Sequence, residues 1–178
     1  MLLIRSLSST DSIHELTHLL HRSYAQLGAM GLNYTAVDQT VEVTARRIEG
    51  GECFLAFWEG QLVGTVLAKP TDRQSECDYF TKPGVASLRQ FAVDPELQGR
   101  GIGHALIARC ESWATNTSHM ELALDTAEPA EHLVRLYTGL GYEKVGFAQW
   151  PGKVYRSVVM SKALITGANQ PLAAPLQR

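Results

Sequence analysis

The densest chemistry in the chain lies between residues 88 and 106, where an apolar run gives way to a glycine-spaced turn and then to an amphipathic stretch. The turn reads Gln98-Gly99-Arg100-Gly101-Ile102-Gly103-His104. A helix starting here presents unpaired backbone N–H groups and the positive end of its dipole. Glycines remove Cβ atoms, so phosphate oxygens can approach the backbone closely, and Arg100 adds a cation. The turn is therefore expected to bind a phosphate or pyrophosphate. Two known fingerprints fail on spacing. G-x-G-x-x-G would need its third glycine at His104 or Leu106, and the P-loop would need a Gly-Lys pair that is missing here. A plain strand-to-helix turn would not require three alternating glycines.

A second pattern runs His14-Glu15-Leu16-Thr17-His18, a literal H-E-x-x-H of the zinc metalloprotease type. At ~100° per residue, His14, His18 and His21 share one helix face, and Ile13, Leu16, Leu20, Tyr24 and Leu27 take the opposite one. The histidines thus point away from the core. Three ligands from one straight helix surround a tetrahedral metal poorly. A solvated polar face is the preferred reading, no metal is expected, and a zinc hydrolase through His14 and His18 is the remote alternative. Cys53 and Cys110 read as core residues and Cys77 as loop-borne, with no base beside any of them.

The spacing Gln98-x-x-Gly101-x-Gly103 fits [QR]-x-x-G-x-[GA]. It resembles the signature of the GNAT superfamily of acyl-CoA-dependent N-acetyltransferases. The likeness extends over residues 91–106 as strand, loop and helix, and Leu136 to Tyr142 is similar to that family's later helix end. The resemblance implies a co-substrate, acetyl-CoA. Backbone groups from Gln98 to His104 would hold its pyrophosphate, and Phe91, Ala92 and Val93 would accompany the pantetheine arm. Tyr137 matches the position whose hydroxyl protonates the departing thiolate. A phenol near ~10 can protonate a thiolate whose thiol has a pKa of ~8.5. The reaction implied is direct attack by a neutral amine on the thioester. A non-catalytic acyl-CoA-binding module on the same scaffold is the alternative.

Two positions depart from the family pattern. Ala130 stands where many members carry an Asn that contacts the coenzyme. Arg89-Gln90 stands where some members carry a Glu base. Glu121, Glu76, Asp78 or a chain of waters remain open as the base. On the acceptor side, the resemblance points to the early helices, the long loop and the last strand pair, with Tyr34, Glu76, Asp78, Tyr79 and Tyr155 as candidates. Acidic groups with aromatics would suit a cationic amine.

These residues need a scaffold. Leu2 to Arg5 reads as a strand. Ser12 to Glu15 matches a capping box opening a helix that Gly28 and Gly31 should break. A second helix is expected from about Asp38 to Gly50. Residues 53–58 and 61–69 read as a hairpin across Glu59-Gly60. Residues 70–84 read as loop with an extended piece at 78–80. A strand over 85–93, a helix over 101–115 and a strand over 120–124 follow. Then come a helix after Pro129 and a strand pair over 143–150 and 153–162. This order implies an α/β (mixed α+β) fold, a central mixed but mostly antiparallel sheet of about six to seven strands flanked by four helices, resembling the GNAT fold. Residues 1–165 are expected to form one domain and 166–178 a disordered tail.

Composition narrows the classes. The chain has 178 residues, 45% apolar and 19% charged, with a net charge of −2. That is globular, and it offers no basic field for nucleic acid or an anionic membrane. No signal-peptide core or run of ~20 apolar residues occurs. Three scattered cysteines suit a reducing cytoplasm. The expected partners are acetyl-CoA and an amine, in a monomer or homodimer.

Overall fold

The computed structural model describes residues 1–164. Seven strands form one sheet among these residues: β1 (Leu2–Ser6), β2 (Glu52–Trp58), β3 (Gln61–Lys69), β4 (Val85–Val93), β5 (Glu121–Ala127), β6 (Glu143–Ala148) and β7 (Ser157–Ala163). Their spatial order is β1-β2-β3-β4-β5-β7-β6. β4 and β5 pair in parallel, and the other neighbours are antiparallel. A parallel pair needs a crossover. Helix α4 (Ile102–Asn116) supplies it, joining the end of β4 to the start of β5. The expected mixed, mostly antiparallel sheet is what the chain forms. The expected tail at 166–178 lies outside the described residues.

β2 and β3 are almost wholly apolar because both faces of the sheet are covered. Phe54 and Ala56 pack with Leu106, Ile107 and Cys110 of α4. Their strand neighbours Cys53 and Leu55 point the other way, onto Leu16 and Leu20 of α1 (Ile13–Ala29). The period-2 alternation of a strand thus feeds two cores. Ser12 caps α1, its hydroxyl accepting from the Glu15 N–H at 3.2 Å. Thr40 caps α2 (Val41–Ile48) in the same way through Val43.

Several expected boundaries move. Gly28 stays inside α1, which ends at Ala29, and the left-handed turn falls at Gly31 with φ +80°. The stretch at 78–80, expected as extended, is instead a short helix, α3 (Asp78–Thr81). It buries Phe80 against Val85 and Val159. The last strand starts at Ser157, not Lys153, so residues 149–156 form a loop. Helix α5 (Glu131–Gly139) begins two residues after Pro129.

Candidate active site

The site lies where the sheet opens. β4 and β5 pair only at Val85–Ser87 with Glu121–Ala123. Beyond that the strands separate, and the next residues of each line two cavities. One, of about 610 Å³, is bounded by α1, the end of β4, the glycine loop and α5. The other, of about 340 Å³, lies among β4, β5, α2 and the loop before β7. Tyr24, Tyr34, Phe91, Asp125 and Tyr137 line both.

β4 is irregular at this point. Thr65 and Leu67 of β3 face Ala92 and Arg89, so Val66 stands opposite both Gln90 and Phe91. Gln90 carries a φ of +47°, uncommon for a residue with a side chain. This is a bulge, which bends a strand and frees backbone groups from the ladder. The Tyr24 hydroxyl donates to the Phe91 carbonyl at 3.0 Å, fixing the bulge to α1. Sequence reading placed Tyr24 only in a core stripe, and nothing in its spacing marked this contact.

The larger cavity gathers Phe91, Ala92, Val93, Gln98, Gly99, Gly101, Ile102, Gly103 and His104, all expected at the coenzyme. Arg100 is the exception: it is exposed, and its guanidinium sits over the Trp58 ring at 5.8 Å. The glycines serve different ends. Gly99 and Gly101 have φ of +78° and +81°, and a Cβ on either would meet nothing within 4 Å. They are needed for backbone conformation and leave the loop's surface bare. Gly103 is needed for packing, since its Cβ would lie 3.0 Å from Phe91. Gly101 is also the N-cap of α4, so the first N–H groups of that helix have no capping side chain. The Ser23 hydroxyl on the cavity wall is buried and has no hydrogen-bond partner among the described residues. A bare glycine cradle, a helix start and a spare hydroxyl fit a phosphate-bearing ligand.

The smaller cavity contains Tyr34 and Tyr155 of the acceptor candidates, but not Glu76, Asp78 or Tyr79. Those three line a separate depression beside Lys82. Tyr79 donates there to Glu121 at 2.6 Å, and Ser161 also donates to Glu121 at 2.7 Å. These bonds hold the Glu121 carboxyl below its usual value, and Glu121 lines neither cavity. The expected acidic acceptor pocket is therefore not what the cleft offers. Its charged residues are Arg47, Arg89, Lys153 and Asp125. Asp125, which the sequence did not single out, accepts from Arg89 at 2.7 Å and from the Trp150 indole at 2.8 Å.

Tyr137 is 6% exposed and lies at the junction, its ring near Phe91 and Tyr142. Burial raises its hydroxyl well above the usual phenol value, with Tyr24, Tyr34 and Asp125 adding to the shift. The phenol therefore differs from the ordinary one expected: burial favours its neutral, proton-bearing form. Ala130, standing in place of the family's Asn, is fully buried at the start of α5 and contributes no side-chain hydrogen bond there.

The His14 and His18 rings lie 4.3 Å apart on the exposed face of α1. His21 Nε2 sits 2.8 Å from the Gln39 carbonyl oxygen. Among the described residues, no group of three His, Cys, Asp or Glu is arranged to hold a metal ion.

A family model described as the acetyltransferase (GNAT) family matches residues 13–142. The S-(2-succino)cysteine N-acetyltransferase of Bacillus subtilis (strain 168) is 25% identical over 156 residues, covering 84% of this chain and 89% of that protein. The aminoglycoside N(6')-acetyltransferase type 1 of Stenotrophomonas maltophilia is 28% identical over 140 residues, covering 78% and 90%. Among solved structures, a GNAT family acetyltransferase from Elizabethkingia anophelis with acetyl-CoA bound matches with a TM-score of 0.68. It is 16% identical, with 92% of this chain and 98% of that one covered, so its likeness speaks for the fold. The matched span runs from α1 through the glycine loop to the end of α5, and on it the chain belongs to the GNAT acetyltransferase family, as an acyl-CoA-dependent N-acetyltransferase.

Proposed function

We propose that this chain moves the acetyl group of acetyl-CoA to a primary amine by direct attack, within the cleft between β4 and β5. The observation that carries this reading is the meeting of two cavities at Tyr137, one walled by the glycine loop and the other by polar side chains. Acetyl-CoA supplies an activated thioester. The loop from Gln98 to His104 binds its pyrophosphate through backbone N–H groups at the start of α4. The bulge at Gln90 and Phe91 borders the acyl end, where a backbone N–H released from the ladder would polarise the thioester carbonyl.

Tyr137 acts as the acid. The neutral amine nitrogen forms a bond to the acetyl carbon, the carbon–sulfur bond breaks, the Tyr137 proton goes to the departing sulfur, and the proton shed by the new amide nitrogen returns through water to the Tyr137 oxygen. A strongly raised phenol gives up its proton less readily. The burial that raises Tyr137 also disfavours a bare thiolate, so both partners move in the same sense. Asp125 is the carboxylate that both cavities share, but Arg89 and the Trp150 indole engage it, so the incoming ammonium loses its proton to water. Cys53, Cys77 and Cys110 are all free and buried, which supports a reducing, cytoplasmic setting and leaves no thiol nucleophile at the cleft. Among the described residues, no helix is long and apolar enough to cross a membrane.

The two relatives are named for different acceptors, one for S-(2-succino)cysteine and the other for an aminoglycoside. The test is thiol release from acetyl-CoA with the purified chain and a panel of amines. Amine-dependent release supports the transferase reading. Tight acetyl-CoA binding with no release from any amine would leave only a binding module.

A further inference from the structure

The charges of the smaller cavity do not balance. Arg89 is neutralised by Asp125, and the pair is braced by the Trp150 indole and by Phe80, whose ring lies 4.2 Å from the guanidinium. Arg47 and Lys153 line the same cavity, and neither belongs to an ion pair among the described residues. Both are partly buried. Burial lowers both from their usual values, Arg89's charge lowers Arg47 further, and Arg47's charge lowers Lys153 further. The carboxylates facing them are Asp125, already engaged, and the exposed Asp38.

Two cations held close together without counter-charge oppose folding unless something else requires them. What holds them here is neutral. Arg47 donates to Oε1 of the buried Gln39, whose amide nitrogen donates to Thr44 at 2.7 Å and to Gln90 at 2.9 Å. Thr17 of α1 donates to Thr44 in turn, at 2.8 Å. Lys153 donates to the Asn33 carbonyl at 2.6 Å and to the Thr35 hydroxyl at 2.9 Å. Neutral oxygens fix the direction of both side chains without cancelling their charge. A planar guanidinium fork beside an ammonium suits a carboxylate.

We propose that the acceptor is an amine that also carries a carboxylate, of the α-amino acid type, and that Arg47 and Lys153 hold that carboxylate. The inference rests on the acetyltransferase reading and names its substrate class. The acceptor's amine then lies towards Asp125 and Tyr137, where the two cavities join. A polycationic acceptor would meet two unopposed cations and one carboxylate already spoken for.

The experiment measures thiol release from acetyl-CoA with matched pairs, such as methionine against methioninamide and leucine against leucinamide. Phosphoethanolamine, spermidine and an aminoglycoside complete the panel. The acids are expected to exceed their amides in kcat/KM by about tenfold or more, the worth of a charge-assisted hydrogen bond. Arg47→Gln and Lys153→Gln should each raise KM for the acids by a similar factor, leaving KM for the amides and acetyl-CoA affinity unchanged. Arg47→Lys should recover part of the loss, and a Tm at or above that of the parent shows that the variants fold. Amides used as well as acids would overturn the proposal and leave the acetyltransferase reading standing. So would a preference for phosphoethanolamine, spermidine or the aminoglycoside. Silence across the whole panel would overturn both.

Discussion

Burial changes what Tyr137 can do with its proton. An exposed phenol would begin to ionise near pH ~10. Tyr137 is buried among aromatic neighbours, with Asp125 near, so its neutral form is favoured beyond that of an exposed phenol. It is a standing donor, and the activity it supports should not fall as pH approaches ordinary phenol values. Tyr137→Phe should lower kcat by roughly 10²–10⁴-fold. Acetyl-CoA affinity, set mainly by the glycine loop, should hold when measured by calorimetry. Undiminished turnover would remove the acid from Tyr137. Asp78→Asn should leave acceptor KM unchanged, because Asp78 lines a depression apart from the cleft. Tyr137 and the loop were legible in the sequence because each sits in a contiguous motif. Asp125, Arg47 and Lys153 were not. They come from β5, α2 and the loop before β7, and nothing local to any of them signals that they share a cavity.

At the level of elements, the loop and α4 form one device. Gly101 ends the loop and caps the helix in a left-handed conformation. A side chain there costs about 1–2 kcal/mol in backbone strain alone. Since a Cβ would touch nothing, the helix itself has room for the change. Gly101→Val should therefore cost only a few degrees of Tm, yet remove most acetyl-CoA binding, because the turn that aims the N–H groups must re-form. Equal acetyl-CoA affinity in this variant would show that the loop is no cradle. The strand–loop–helix sequence was readable because its apolar run, glycines and helical stripe follow one another directly. The bulge at Gln90 and the parting of β4 from β5 were not readable, since both depend on register between strands rather than on composition. The helix at Asp78–Thr81 was missed for a related reason. Four residues are too few to show a period, and tertiary burial of Phe80 decides their shape.

For the molecule as a whole, the modest net charge of −2 conceals a division. The acceptor-side cavity is cationic, while several carboxylates elsewhere are tied down. Arg5 holds Asp11 well below its usual value through two hydrogen bonds at 2.7 Å. Arg156 lowers Glu128, and Tyr79 and Ser161 lower Glu121. A carboxyl lowered in the folded state contributes stability that is full above its unfolded value, near pH ~4, and is lost as pH falls through the folded value. Tm should therefore hold from neutral pH down to about pH 5 and then decline on further acidification. Asp11→Asn should lower Tm at neutral pH and make the acid decline shallower. A decline of the same steepness in that variant would count against the Arg5–Asp11 pair as a contributor.

The parting of β4 from β5 also bears on the order in which reactants come and go. Two cavities that share only a narrow set of walls give donor and acceptor separate seats, with no buried cysteine between them to carry the acyl group. Neither reactant must vacate for the other to enter. Initial-rate plots at varied concentrations of both should accordingly give intersecting lines, the mark of a ternary complex. Parallel lines would mean that the acetyl group rests on the protein along the way.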